Sequence, residues 1–270
     1  MRKVVDSNML TSPALRHFFQ GSHNNYVLIS EYAAMEAYCC DSITGIYKSM
    51  KIISEFPKQV LVLNNTINVC GFNGKAAGLQ RRLIDTRQTR DFQKFAKQIQ
   101  QAQSGDRLLQ QELFLLSKKA CENIKRILRD AESMAPAFDI FAKTYSAEER
   151  NILRTDQAFT QSMLDKSMRH IMEIAVTLFS KHPRVVTLPN INELANTFIF
   201  RVSLCTYLLA LEWGVKGGAQ QARPKKIRND LIDMHFAAYA TFFDGFLSAD
   251  AKANRIYNIA MFYLKNTLLS

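Results

Sequence analysis

The sequence predicts an α/β protein: a parallel sheet flanked by helices, carrying a large all-helical insertion. Three observations predict it. Short β-branched and apolar runs near both ends of the chain read as strands. Strand, helix and strand follow one another at the spacing of a βαβ unit. The middle of the chain is instead rich in Gln, Lys, Arg and Leu. At 270 residues the chain can bury a sizeable core. It divides into an α/β domain over 1–73 and 183–270 and a helical insertion over 74–182.

Taken in order, "KVVDSNML" is a short strand that stops at Asp6, Ser7 and Asn8. "YVLIS" at 26–30 is a second strand. "EYAAMEAYCCDSITGIYKSMKII" then has an alanine-rich start and spaced apolar residues, and is expected to be one helix. In "KQVLVLNN" the run Val60, Leu61, Val62 and Leu63 suits a strand covered on both faces. Within the insertion, "DRLLQQELFLLSKKACENIKRILRDAESM" places Leu109, Leu113, Leu116, Ala120 and Ile124 at helical steps, and only Pro136 interrupts the segment. "TDQAFTQSMLDKSMRHIMEIAVTLFSKH" reads likewise. "HPRVVTLPN" offers a short strand between two prolines, and "INELANTFIFRVSLCTYLLALEWGV" an apolar helix. "KGGAQQARPKKIRN" reads as a loop. "LIDMHFAAYATFF" has helical spacing, and "DGFLSAD" is a last strand closing on Asp250.

Composition narrows the partners. Apolar residues make up 47% of the chain, and no run is read as approaching the 18 residues of a membrane span. "MRKVVDSNML" reaches an acid too soon for a signal peptide. Five cysteines, Cys39 and Cys40 adjacent, lack metal-ligand spacing and read as reduced thiols in a cytoplasmic protein. The 35 Lys and Arg against 24 Asp and Glu leave a net charge of +11, which favours a polyanion or an anionic membrane face as partner. "GFNG" and "GVKGG" lack phosphate-loop spacing, so no nucleoside triphosphate site is expected.

Against this basic background, acids stand at strand ends. Asp6 ends the first strand, Glu36 lies on the helix after the second, and Asp250 ends the last. Asp233 and Asp230 share one face of the helix before it. Open parallel sheets build their sites outside the C-terminal strand ends. Acids that converge there repel unless a cation lies between them, and hard oxygen ligands select Mg²⁺ or Mn²⁺. Each acid also has a local reading. Asp6 with Asn8 can cap a helix beginning near Ser12 or Pro13, Glu36 can face solvent, and Asp250 can cap the helix that follows. Asp244 beside Gly245 reads as a turn residue, and His235 as a packed, hydrogen-bonded histidine.

The ordered set of acids resembles the PIN-domain nucleases, the fold of toxin ribonucleases in toxin–antitoxin pairs. "VVDSNML" is similar to that family's opening motif, "VLISEYAAMEAY" to its second, and "NDLIDMHFAAYATFFDGFLSADAK" to its closing pair, with Ser248 where the family has Thr. The resemblance covers about 1–65 and 185–265, and the helical middle is longer than in a compact PIN toxin. It implies a PIN-like, Rossmann-related sheet and a cytoplasmic, metal-dependent endonuclease, with RNA ahead of DNA as substrate and a toxin or defence role. One or two Mg²⁺ or Mn²⁺ ions would be held by Asp6, Glu36, Asp233 and Asp250 as catalytic acids. The third metal ligand is open between Asp233, which the spacing favours, and Asp230, kept as an adjacent helper that can also meet the metal. Asn8 and Ser248 would orient the carboxylates. A restraining protein partner is implied as well.

Phosphates would be met by "RPKKIR", with Arg223, Lys225, Lys226 and Arg228 directly before the acidic helix. A second basic run includes Arg81 and Arg82. The alternative from another class is a PIN-fold protein that binds nucleic acid or a partner without cutting. An unrelated doubly wound enzyme would need a glycine-rich first turn, which "DSNMLTSP" lacks.

Overall fold

Four short strands organise the chain, all parallel, in the order β3-β2-β1-β4. A computed structural model describes residues 1–40, 42–155, 157–185, 187–216 and 223–268, with the backbone alone for 128–139, 216, 267 and 268. β1 (Arg2–Val5) pairs with β2 (Tyr26–Ile29) on one side and β4 (Gly245–Leu247) on the other, and β2 pairs with β3 (Val60–Val62). Val4, Val5, Val27 and Leu28 are wholly buried, as in a strand covered on both faces. The sheet and its flanking helices are therefore α/β, as expected.

Between β1 and β2 a 3₁₀ turn, Ser7–Met9, leads to α1 (Pro13–Gln20). Its N-cap is Ser12, whose Oγ accepts from Ala14 N at 3.2 Å. Asp6 caps the 3₁₀ turn instead, so it is not the cap of the helix at Pro13. After β2 the single helix expected is two, α2 (Glu31–Tyr38) and α3 (Ile43–Glu55). Cys39 leaves helical geometry, and Ser42 starts the second helix by accepting from Gly45 N.

Past β3 come α4 (Thr66–Cys70), α5 (Leu79–Leu83), α6 (Thr86–Gln103), α7 (Arg107–Lys143), α8 (Ala147–Arg154) and α9 (Gln161–Lys181). The range of α7 includes Pro136, so the interruption read there is absent. Its buried stripe differs by one residue from the pattern expected. Leu113, Ala120 and Ile124 are buried, Leu116 is 45% exposed, and Ser117 turns inward to donate to Cys40 O at 3.0 Å. Cys39 and Cys121 form a disulfide between the end of α2 and α7. The reading of all five cysteines as reduced thiols is corrected by it.

The chain then runs through α10 (Ile191–Leu194) and α11 (Phe198–Lys216) to α12 (Pro224–Ala240), β4, α13 (Ala251–Tyr263) and a π-helical turn, Leu264–Leu268. Among the described residues "HPRVVTLPN" holds no strand, and Val186 within it lies outside them. Of the loop expected over 216–229, residues 217–222 lie outside the described set. The rest is helix from Pro224, because proline is favoured at a first helical position, where no donor is needed.

One hydrophobic cluster joins the two parts of the sequence. α7 packs on α2, α11 and α12, and α9 packs on α11. Buried residues of the middle segment, such as Leu113, Met163, Ile171 and Phe179, belong to the same cluster as Val4, Leu28 and Phe236. α11 is apolar all round, as a helix enclosed by others must be. Its window Phe198–Val215, with mean hydropathy 1.4, is long and apolar enough to cross a membrane by length and composition. That corrects the reading that no run approaches such a length. Within the fold 72% of the window is buried.

Candidate functional site

The strand order reverses between β1 and β4. The chain moves outward from β1 to β3, then returns to the other side of β1. Loops diverge at such a switch point and leave a crevice at the C-terminal strand ends. Asp6 follows β1 directly there, and its backbone N–H donates to Leu247 O at 2.9 Å, which extends the ladder to β4. Ser248 and Asp250 follow β4, Glu36 rides on α2 behind β2, and Asp233 lies on α12. The charges of Asp6, Asp250, Asp230 and Glu36 all act on Asp233, and that of Asp6 acts on Glu36. Acids from four separate segments thus share one neighbourhood.

Short polar side chains hold these carboxylates. Asp6, only 2% exposed, accepts from Asn8 Nδ2 and Ser248 Oγ, each at 2.6 Å. Ser248 Oγ in turn accepts from Asp250 N at 3.0 Å, and Asn8 Oδ1 from Ala249 N at 3.2 Å. Asn8 and Ser248 therefore tie the loop after β1 to the loop after β4 and hold the Asp6 carboxylate between them. Ser7 donates to Glu36 Oε2 at 2.5 Å and lies 3.4 Å from Asp6 Oδ1, so it bridges two of the acids. Asp250 Oδ1 accepts from Ala253 N at 2.8 Å and caps α13, so its local reading holds alongside its place among the acids. Asp233 has no hydrogen-bond or ion-pair partner among the described residues.

Burial and, for Glu36 and Asp233, neighbouring acids raise the proton affinity of Asp6, Glu36 and Asp233. Burial lifts the Asp6 carboxyl above its usual range against the pull of Ser248, Asn8 and Ser7. Glu36 is raised by burial and by Asp6, while Ser7 and the Arg228 charge oppose the shift. Asp233 is pushed up to about 8, first by burial and then by Asp6, Asp250, Asp230 and Glu36. Burial and like charges disfavour the ionised form together.

Asp230 has a different partner. Its carboxylate, 5% exposed, forms an ion pair with Lys252 Nζ on the first turn of α13. Asp230 and Asp233 share a helix face, yet one meets a lysine and the other meets acids.

An all-carboxylate set has the donor chemistry that Mg²⁺ and Mn²⁺ take, and a cation would relieve its repulsion. As the side chains stand, no group of three or more His, Cys, Asp or Glu among the described residues could hold a metal ion. Asp6, Glu36, Asp250 and Asp230 are each engaged separately, by Ser248 and Asn8, by Ser7, by the α13 cap and by Lys252. The donor chemistry suits such an ion, and burial raises Asp6, Glu36 and Asp233 above the usual carboxylate range.

Of the basic residues expected to meet phosphate, Arg223, Lys225 and Lys226 are exposed on the start of α12 and Arg228 is half-buried. The Lys226 charge acts on Asp230, and that of Arg228 on Glu36. Arg81 and Arg82 lie on α5, apart from these. Arg82 spends its guanidinium on the carbonyls of Asn73, Lys75 and Ala77. Gln80 beside them bonds Arg2 and Phe242 O. His235 is packed, with Nδ1 2.9 Å from Leu231 O, and Asp244 accepts from Arg2 N at 2.7 Å in the turn before β4.

Sequence reasoning missed Ser7, Lys252 and Trp213. Ser7 stands inside "DSN" and Lys252 inside "SADAK", so adjacency to acids was the available signal. Trp213 sits in an apolar helix and gave none. Compared with known proteins, the chain matches no family model, no curated protein and no solved structure.

Proposed function

We propose that this chain is a PIN-like, divalent-metal-dependent nuclease that hydrolyses phosphodiester bonds, with RNA ahead of DNA as substrate. The observation that carries the reading is the gathering of Asp6, Glu36, Asp233 and Asp250 at the switch point of a parallel sheet, with Asp233 raised to about 8 by its neighbours. The resemblance of the three quoted motifs to PIN nucleases supports it, and so does the cationic start of α12 beside the acids.

Asp6, Glu36, Asp233 and Asp250 are the residues that would hold one or two Mg²⁺ or Mn²⁺ ions. Bound there, such an ion supplies a water of lowered pKa and neutralises charge on the leaving oxygen. The chain's own part is to orient and to offset charge. Ser248 and Asn8 fix the Asp6 carboxylate, Ser7 fixes Glu36, and Arg228 offsets part of the negative charge. Asp233, with no hydrogen-bond or ion-pair partner among the described residues, is the acid placed to take up or release a proton at its carboxylate as charge in the pocket changes. A toxin or defence role restrained by a protein partner extends the same proposal. A cytoplasmic setting rests on the resemblance alone, because the Cys39–Cys121 disulfide removes the thiol argument for it.

Labelled single-stranded RNA and DNA, incubated with Mn²⁺ and in parallel with EDTA, test the reading. Cutting in Mn²⁺ alone is expected, and Asp6→Asn and Asp250→Asn are expected to abolish it while gel-shift binding persists. Asn is as good an N-cap as Asp, so Asp250→Asn leaves α13 capped. Cutting by both variants at the wild-type rate would remove the assignment. A second reading, binding without cutting, is supported by the separate partners that Asp6, Glu36 and Asp250 already engage. Wild-type binding with no cleavage in either metal would select it.

A further inference from the structure

Lys252 is more than the counterion of Asp230. Two lysines meet at one indole: Lys252 Nζ is 5.1 Å and Lys226 Nζ 4.9 Å from the ring centroid of Trp213, the single tryptophan of the chain. Lysines that share an aromatic ring gain cation–π attraction but repel each other, and Asp230 is the carboxylate that offsets them. Its oxygen bonds Lys252 directly, and the Lys226 charge also acts on it. Three helices contribute: Trp213 from α11, Lys226 and Asp230 from α12, and Lys252 from α13. The buried Trp213 indole N–H acts on the Asp230 carboxylate, so the indole is fixed by packing, by Asp230 and by these cations.

The patch adjoins the acids. Asp230 acts on Asp233, and Lys252 lies two residues beyond Asp250 at the start of α13. One acidic side chain cannot neutralise two ammonium groups, so the cluster keeps a net positive charge next to a negatively charged pocket. A nuclease substrate needs that pairing, because its backbone phosphates must be held beside a site that would otherwise repel them.

We propose that Lys252 and Lys226 form a phosphate-binding clamp on Trp213 that grips the backbone of single-stranded RNA next to the acidic pocket, with Asp230 as the counterion that holds Lys252 in place. The proposal rests on the nuclease reading for its substrate class and gives Asp230 a role other than metal ligand. On RNA binding, phosphate oxygens take up the ammonium groups, and Lys252 leaves Asp230 in part.

The test is a titration of the full chain with a single-stranded RNA oligonucleotide in EDTA, read by Trp213 emission at several salt concentrations. RNA is expected to change the emission of the wild-type protein. Lys252→Gln and Lys226→Gln are each expected to lower the slope of log K against log salt by about 0.7 and to weaken binding about fivefold at 0.1 M salt, as one lost phosphate contact on a single strand implies. Lys252→Arg should restore binding. Lys226 is exposed, so Lys226→Gln keeps the test valid if Lys252→Gln fails to fold.

Unchanged slopes in folded variants would overturn the clamp, as would RNA binding that leaves Trp213 emission untouched. The measurement needs no catalysis, so the two readings fail separately. Lysine-dependent binding without Mn²⁺-dependent cutting sinks the nuclease and keeps the clamp. Asp6-dependent cutting with lysine-independent binding does the reverse.

Discussion

Asp233 is the residue on which burial and charge act in the same direction, and that fixes how the protein responds to pH. A carboxyl whose folded pKa lies near 8, against an unfolded value of 3.8, keeps a proton in the fold that the unfolded chain has already lost. Between about pH 4 and 8 this carboxyl makes the native state bind more protons, so its contribution to stability falls as pH rises. His235 and His182, lowered chiefly by burial, act in the opposite sense below the usual histidine range. The raised carboxyls of Asp6, Glu36 and Asp230 add to the fall in the same sense. Asp233→Asn removes one charge from the group. It is expected to flatten the decline and to raise the melting temperature at pH 8 by about 2–4 °C, the equivalent of about 1 kcal/mol in a domain somewhat smaller than this chain. A melting series from pH 4 to 9 on both proteins checks this, and a wild-type decline no steeper than that of Asp233→Asn would contradict the assignment. Of the residues in this group, Asp6 was legible in sequence because a β-branched run stops at it. The separate roles of Asp230 and Asp233 were not. They depend on Lys252, which is 22 residues from Asp230 along the chain and reaches it only once α13 packs on α12.

At the level of elements, α2 carries Glu36 and ends at Cys39, which the disulfide ties to Cys121 on α7. The bond closes a loop across 82 positions, so it fixes the helix bearing one of the acids to the longest helix of the fold. Closing a long loop restricts the unfolded chain, and such bonds contribute about 2–4 kcal/mol. Denatured without reductant, the protein is expected to show three titratable thiols, Cys40, Cys70 and Cys205, and five after reduction. Cys121→Ser should lower the denaturation free energy by about that amount. Five thiols before reduction would contradict the bond. The elements show where local signals suffice. β1, β2 and the part of α12 from Leu231 onward were legible because apolar runs and helical spacing are local properties, whereas its first turns from Pro224 had the composition of a loop. The break at 39–42 was masked by helix-forming residues on both sides, although Ser42 is a good cap. "HPRVVTLPN" had the composition of a strand, but a strand also needs a neighbour to pair with, and composition does not supply one. On α7 Ser117 rather than Leu116 turns inward because its acceptor, the Cys40 carbonyl, lies in the link between α2 and α3, distant in sequence.

For the whole molecule, the question is whether residues 74–182 form an appendage or part of the core. The switch point holds four acids only while α2 and α12 keep their places, and both pack on α7. α11 is enclosed by α7, α9, α12 and α13. Without the middle segment, the apolar surface that Met163, Ile171, Ala175 and Phe179 help to cover would face water. A helix with the hydropathy of Phe198–Val215 would then expose a patch far larger than monomers usually tolerate. A segment joined only through a surface linker melts independently. One that shares a continuous core loses its contacts together with the sheet. Calorimetry under non-reducing conditions is therefore expected to give one transition for the full chain, with a calorimetric enthalpy close to the van't Hoff value. A chain with 74–182 replaced by a short Gly/Ser linker is expected to precipitate or to show no cooperative melt. Two resolved transitions, or a soluble and cooperatively folded deletion chain, would make the middle segment a separate domain, and α2 and α12 would then owe their positions to the sheet alone.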